Sequence, residues 1–130
     1  MKIAKRIFTI LCDDVREEKS NKLTLVGVYS KDIVFKEIPS IYPKLCLVIF
    51  VEGIKDLFAN VKVILKVPES EDIVIIMKPP QKISLNNNIN LVLAVSPFRI
   101  KTTGLGQFQI YFGNAKKPSL IHEFEIKVVD

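Results

Sequence analysis

His122 is the only imidazole in this sequence, Cys12 and Cys46 are its only thiols, and it contains no tryptophan. Nucleophilic catalysis needs a base beside a Ser, Cys or Thr, and a third group that orients the base. His122 shares the register of Phe124 and Ile126, so it is expected to point inwards or to cap a strand end, as a structural histidine. Neither cysteine lies next to an electropositive loop or a helix N-terminus that would lower its pKa. Both are expected to be reduced thiols packed as small core residues. Two cysteines and one histidine, scattered over positions 12, 46 and 122, lack the close ligand spacing of a zinc site. Gly104-Leu105-Gly106 lacks the Lys-Ser/Thr and the helix of a phosphate loop, and reads as a turn into the Phe108 strand. No catalytic residue is assigned, and no enzyme activity is expected.

Carboxylates are the remaining source of chemistry. The densest group, Asp13-Asp14-Val15-Arg16-Glu17-Glu18, reads as an acidic loop over residues 13–18. Several carboxylates in one loop can coordinate calcium. The same residues can cap a helical turn, with Glu17 or Glu18 closing a capping box and Arg16 paired to a carboxylate. The spacing lacks the alternating oxygens and glycine of an EF-hand loop, and Arg16 and Lys19 dilute the charge. The structural reading is therefore favoured, with no metal and no cofactor. Asp13, Asp14, Arg16, Glu17 and Tyr29 stand as binding candidates. Glu69, Glu71 and Asp72 read as a solvated hairpin tip with no apolar pocket to raise a carboxyl pKa.

The 130 residues carry a net charge of +5 with a pI near 9.2, and 48% are apolar. That apolar share excludes wholesale disorder. No apolar run reaches the roughly 18 residues that span a bilayer, so no membrane segment is expected. Lys2, Lys5 and Arg6 before Ile7–Cys12 mimic a secretory leader. The apolar stretch falls short of the about 7–15 residues such a leader needs, and Leu11 is bulky where cleavage wants a small side chain. A cytoplasmic chain is expected. The lysines are dispersed and only three of the 19 basic residues are arginine. Nucleic acid thus stands as an alternative partner only, through Lys62 and Lys66 on one strand and Phe98, Arg99 and Lys101 on a loop.

These residues must be held by strands, because the dominant period is two. Val61, Val63 and Leu65 alternate with Lys62 and Lys66, and Ile89, Leu91 and Leu93 repeat the pattern. Phe108, Ile110 and Phe112 alternate with Gln107, Gln109 and Tyr111, and Phe124, Ile126 and Val128 with Glu125 and Lys127. Each predicts a half-buried strand. Leu45–Val51 and Ile73–Met77 are apolar on both faces and read as central or doubly covered strands. Ile3–Cys12 and Leu23–Tyr29 bring the total to about eight. Residues 52–56, 68–71 and 113–119 are short and turn-forming, which suits antiparallel hairpins and argues against a parallel sheet. The irregular stretches 36–44 and 78–88, the latter with Pro79-Pro80, suit passages between sheets. The expectation is an all-β chain: a single antiparallel β-sandwich over residues 1–130, immunoglobulin-like or a related Greek key.

Two motifs also carry a resemblance. Leu11-Cys12-Asp13-Asp14-Val15-Arg16-Glu17, followed by Asn21–Tyr29 with its Gly27-Val28-Tyr29 end, resembles the opening of a family of short bacterial proteins known only as a domain of unknown function. Gly106-Gln107-Phe108 and Phe124–Val128 resemble that family's closing strands. The resemblance implies a cytoplasmic β-sandwich and brings no activity with it. From the residues themselves, Gly27 in mid-strand indicates a bulge or a close approach. Tyr29 should pack its ring while its hydroxyl reaches a polar partner. The functional expectation is a protein-interaction or self-association module, with strand edges near the chain ends (Ile3–Cys12 or Leu120–Val129) as pairing sites. Ligand or calcium binding at 13–18 is the other alternative.

Overall fold

A chain of alternating apolar residues can bury one face of each strand only if its backbone groups pair laterally, so the ladders decide the architecture. The computed structural model describes residues 2–79 and 82–129, and places eleven strands among them. In chain order these are β1 (Ala4–Glu17), β2 (Leu23–Tyr29), β3 (Asp32–Phe35), β4 (Ser40–Tyr42), β5 (Leu45–Ile54), β6 (Val61–Lys66), β7 (Ile73–Met77), β8 (Ile89–Val95), β9 (Phe98–Ile100), β10 (Gly104–Phe112) and β11 (Leu120–Val128). One sheet has the order β2-β1-β5-β8 and the other β3-β11-β10-β6-β7, with β4 and β9 forming a short ladder of their own. No described helix is long and apolar enough to cross a membrane.

The inner faces of the two sheets share one cluster. Leu47, Ile49 and Val51 of β5 meet a layer that includes Val63, Leu65, Phe108, Ile110, Phe124 and Ile126, all essentially fully buried. Phe124 sits between Phe108 and Phe98, with ring centroids 5.7 and 6.4 Å away. The outer face of the four-stranded sheet carries a second, smaller cluster. Cys12, Cys46 and Val48 are sealed there by Val15, Leu23, Leu25, Phe50 and Val92. Cys12 lies directly opposite Cys46 in the β1–β5 register, and both thiols are free. Burial, reinforced by its neighbour Cys46, pushes the Cys12 thiol up to about 11.

The all-β sandwich agrees with the sequence, and the differences have local causes. The eight expected strands are those of five residues or more. β3, β4 and β9 are only three or four residues each, too short for a period to register. β9 also takes Phe98 and Arg99 out of the expected loop, and Phe98 is 1% exposed in the core. Gly104–Gly106 is not a turn but the start of β10. Residues 113–119 do close the β10–β11 hairpin, and the segment from Val67 to Asp72 closes β6–β7. The turn expected at 52–56 instead belongs to the end of β5 and a link that changes sheets. Segments 36–44 and 78–88 change sheets as expected, although Pro80 of the second lies outside the described residues. One pair is parallel: β3 runs alongside β11, from Asp32 opposite Glu125 to Phe35 opposite Val128. No crossover helix is needed, because β3 reaches that edge from the other sheet.

The expected edges are met in part. β1 lies between β2 and β5, and β11 between β3 and β10, but each is flanked on both sides over only part of its length: among the described residues Ala4–Ile10 pair with β5 alone and Leu120–Phe124 with β10 alone. The strands that end the two main sheets are β2, β8, β3 and β7.

His122 faces inwards. Its Nδ1 lies 2.7 Å from the Thr9 hydroxyl of β1, a polar bridge between the two sheets. Burial lowers the imidazole pKa below its ordinary 6.5. The unfolded chain therefore takes up the proton first, and stability is full above about pH 6.5 and falls as the pH drops below it. His122→Gln is expected to flatten the change in melting temperature between about pH 7 and pH 5.5. Parallel slopes for wild type and variant would show that another group sets the acid limb.

Candidate functional site

Residues 13–17 are not a loop. They form the distal half of β1, paired residue for residue with β2 from Asp14 opposite Val26 to Glu17 opposite Leu23. The register is continuous, so Gly27 marks a close approach and not a bulge. It has φ +68, and the Asp13 side chain fills the space where a Cβ would stand, its Cγ 2.8 Å away. Seated there, Asp13 accepts a hydrogen bond from the Tyr29 hydroxyl through Oδ1. Burial, followed by the Asp13 carboxylate, raises the Tyr29 phenol far above its usual range, and Tyr42 adjoins it. Asp14 points the other way, to Lys44, with Nζ 2.5 Å from Oδ1. That ammonium holds the Asp14 carboxyl below its usual range, and Asp14 in turn raises Lys44.

Three of the five candidates thus converge: Asp13, Asp14 and Tyr29. Arg16 and Glu17 do not. Both are exposed further along the hairpin, and Arg16 makes no ion pair among the described residues. The expected capping box is also replaced. Glu18 precedes the 3-10 turn Lys19–Asn21 without a side-chain cap, and its Oε1 accepts a bond from the Thr24 hydroxyl at 3.3 Å. Tyr42, Pro43 and Lys44 complete the walls of a shallow notch of about 420 Å³ with Asp13 and Asp14. Sequence reasoning missed these three. A usable signal existed for Lys44: once Cys12 is set opposite Cys46, counting two residues outward along each strand places Asp14 opposite Lys44.

Chemically, the notch is quiet. One carboxylate is neutralised by an ammonium, and the other is bonded to a phenol that stays protonated near neutral pH. Among the described residues no three His, Cys, Asp or Glu side chains come together as a metal site. The arrangement fastens the β1–β2 hairpin to β5 and to the short β4.

The proposed aromatic and basic platform is dispersed. Phe98 is in the core, Lys66 is paired with Asp72 at 2.6 Å, and Lys62 lies 4.6 Å above the Tyr111 ring.

The unsatisfied feature lies at β7, the strand read as central. β7 pairs on one side only, with β6. Ile73, Ile75 and Met77 oppose Leu65, Val63 and Val61 on the core face, and Val74 and Ile76 oppose Ile64 and Lys62 outside. Ile76 is 67% exposed, Val74 54% and Ile73 40%. Natural edge strands are commonly blunted by brevity, charge, proline or a kink. β2 contains Gly27 in the left-handed region. β3 has four residues, and the Tyr42 hydroxyl caps its Val34 carbonyl at 3.2 Å. β8 exposes no large apolar side chain among the described residues. The five residues of β7 contain no charge, proline or glycine.

No curated protein and no solved structure matches the chain. The model of the family of unknown function DUF6941 does match, over residues 7–129 of 130, and this chain belongs to that family.

Proposed function

We propose that the chain is a non-enzymatic interaction module that takes up a protein strand at the β7 edge. A single observation carries this reading: the segment Ile73–Met77 is apolar on both faces, as a covered strand would be, yet it ends the sheet with its outer side chains exposed. Such an edge offers a row of backbone donors and acceptors with no partner on that side, and an added strand supplies both hydrogen bonds and apolar cover. The quiet chemistry elsewhere supports the non-enzymatic part. The thiols are sealed, the one imidazole bridges two sheets, and the carboxylates of the notch are engaged.

A labelled peptide with the sequence of residues 71–78 serves as the probe strand, read by fluorescence anisotropy. Binding to the wild type is expected with Kd of about 10–100 µM, in keeping with a small interface. Val74→Lys with Ile76→Lys should weaken it at least about tenfold, because both changes lie on the exposed face and leave the core intact. Equal binding by the variant, or none by the wild type, removes β7 as the site.

A further inference from the structure

Resting on that strand-addition reading, we propose that the strand added at β7 is β7 of a second copy, antiparallel and centred on Ile75. The segment is polar end to end in a self-complementary way. Glu69, Glu71 and Asp72 precede the apolar run, and Lys78 follows it. Antiparallel pairing about Ile75 sets Asp72 of each copy opposite Lys78 of the other, Val74 opposite Ile76, and Ile73 opposite Met77. Opposite charges facing one another across strands are favourable, and like charges are not. A parallel pair would set acid against acid. A slip of one residue would turn one copy's Val74 and Ile76 to the core face of the joined sheet, and a slip of two would leave both ion pairs unmade.

The local geometry suits this arrangement. Lys66 engages Asp72 through Oδ2, and among the described residues Oδ1 has no other charged partner, so it is available to Lys78 of the second copy. Lys78 itself is exposed and makes no ion pair among the described residues. Ile75 and Met77 are half-buried on the core face. Joining two copies extends each five-stranded sheet across the axis and covers the flank those side chains leave open. The pairing is isologous, so it closes at two copies and does not propagate into a fibre.

Sedimentation equilibrium on the full chain tests the proposal. The wild type is expected to dimerise with Kd of about 1–100 µM. Asp72→Lys alone, and Lys78→Asp alone, should each weaken the dimer at least about tenfold, and the two together should restore it, because the pairs are remade with reversed sign. Restoration in the double variant separates the dimer contact from the Lys66–Asp72 pair, which the double variant still lacks. The register has its own check. Ile75→Cys should cross-link two chains under glutathione disulfide, whereas Val74→Cys should not, since residue 75 alone meets its own symmetry mate. Association that ignores the charge reversals, or cross-linking at 74 in place of 75, overturns this pairing. A wild type that stays monomeric at about 100 µM yet binds the 71–78 peptide overturns the second copy and leaves the strand-addition reading intact. Absence of both dimer and peptide binding overturns the two together.

Discussion

Gly106→Ala is expected to lower stability by about 2 kcal/mol, a drop of roughly 8 °C in melting temperature. Gly106 has no unusual backbone angle to explain it; the constraint is space. Its register partner on β11 is Phe124, and a Cβ built at 106 would stand 2.5 Å from Cζ of that ring. The ring cannot turn aside, because Phe108 and Phe98 flank it and it is 1% exposed. Shortening the obstacle should therefore relieve the strain. Phe124→Leu alone leaves a small void and costs about 1–2 kcal/mol, but combined with Gly106→Ala the loss should fall short of the sum by about 1 kcal/mol. Thermal or urea unfolding of the four proteins completes the cycle. Additive losses would mean that the ring moves freely and that the glycine is there for another reason.

The same pair illustrates what a sequence makes legible. Alternation marks which residues face inwards, and it identifies β6, β8, β10 and β11 with their buried faces, apart from Val128 at the end of β11, which is exposed, because period two survives wherever one side of a strand is wet. It also identified β5, whose apolar residues on both faces are covered by the core on one side and by Leu23, Leu25 and Val15 on the other. The identical pattern at β7 has a different outcome, since apolarity on both faces says that a strand should be covered and does not say by what. Lateral order is set by pairings between residues far apart in sequence, so nothing in the sequence of β1 and β11 shows that β2 flanks only the distal half of the first and β3 only the last residues of the second. The acidic stretch 13–17 reads as a loop for a related reason. Charge on a strand resembles a loop until the partner strand is known, and here β2 and Lys44 make it part of a ladder. Tyr29 is the packed ring with a bonded hydroxyl that the sequence indicates, and only the identity of its acceptor, Asp13, comes from the register.

Gly27→Ala should cost about 2 kcal/mol, by two separable routes. The first is the backbone: at φ +68 an L-residue meets its own carbonyl, a penalty of about 1 kcal/mol that depends on no neighbour. The second is the Asp13 carboxylate, which occupies the place of the missing Cβ. Asp13 is exposed and can swing out, but in doing so it releases the Tyr29 hydroxyl and leaves a half-buried phenol without its acceptor. In an Asp13→Ala background only the backbone route remains, so the glycine substitution should cost about half as much there. Spectrophotometric titration separates the routes a second way. Asp13 adds to burial in raising the Tyr29 pKa, so displacing it should bring one tyrosine's ionisation to lower pH in Gly27→Ala and in Asp13→Ala alike. If the Tyr29 titration is unmoved while stability falls, the glycine serves its backbone angle alone. If both move together, Gly27, Asp13 and Tyr29 form one unit, and the Gly-Val-Tyr end of β2 owes its glycine to the carboxylate that fastens the hairpin.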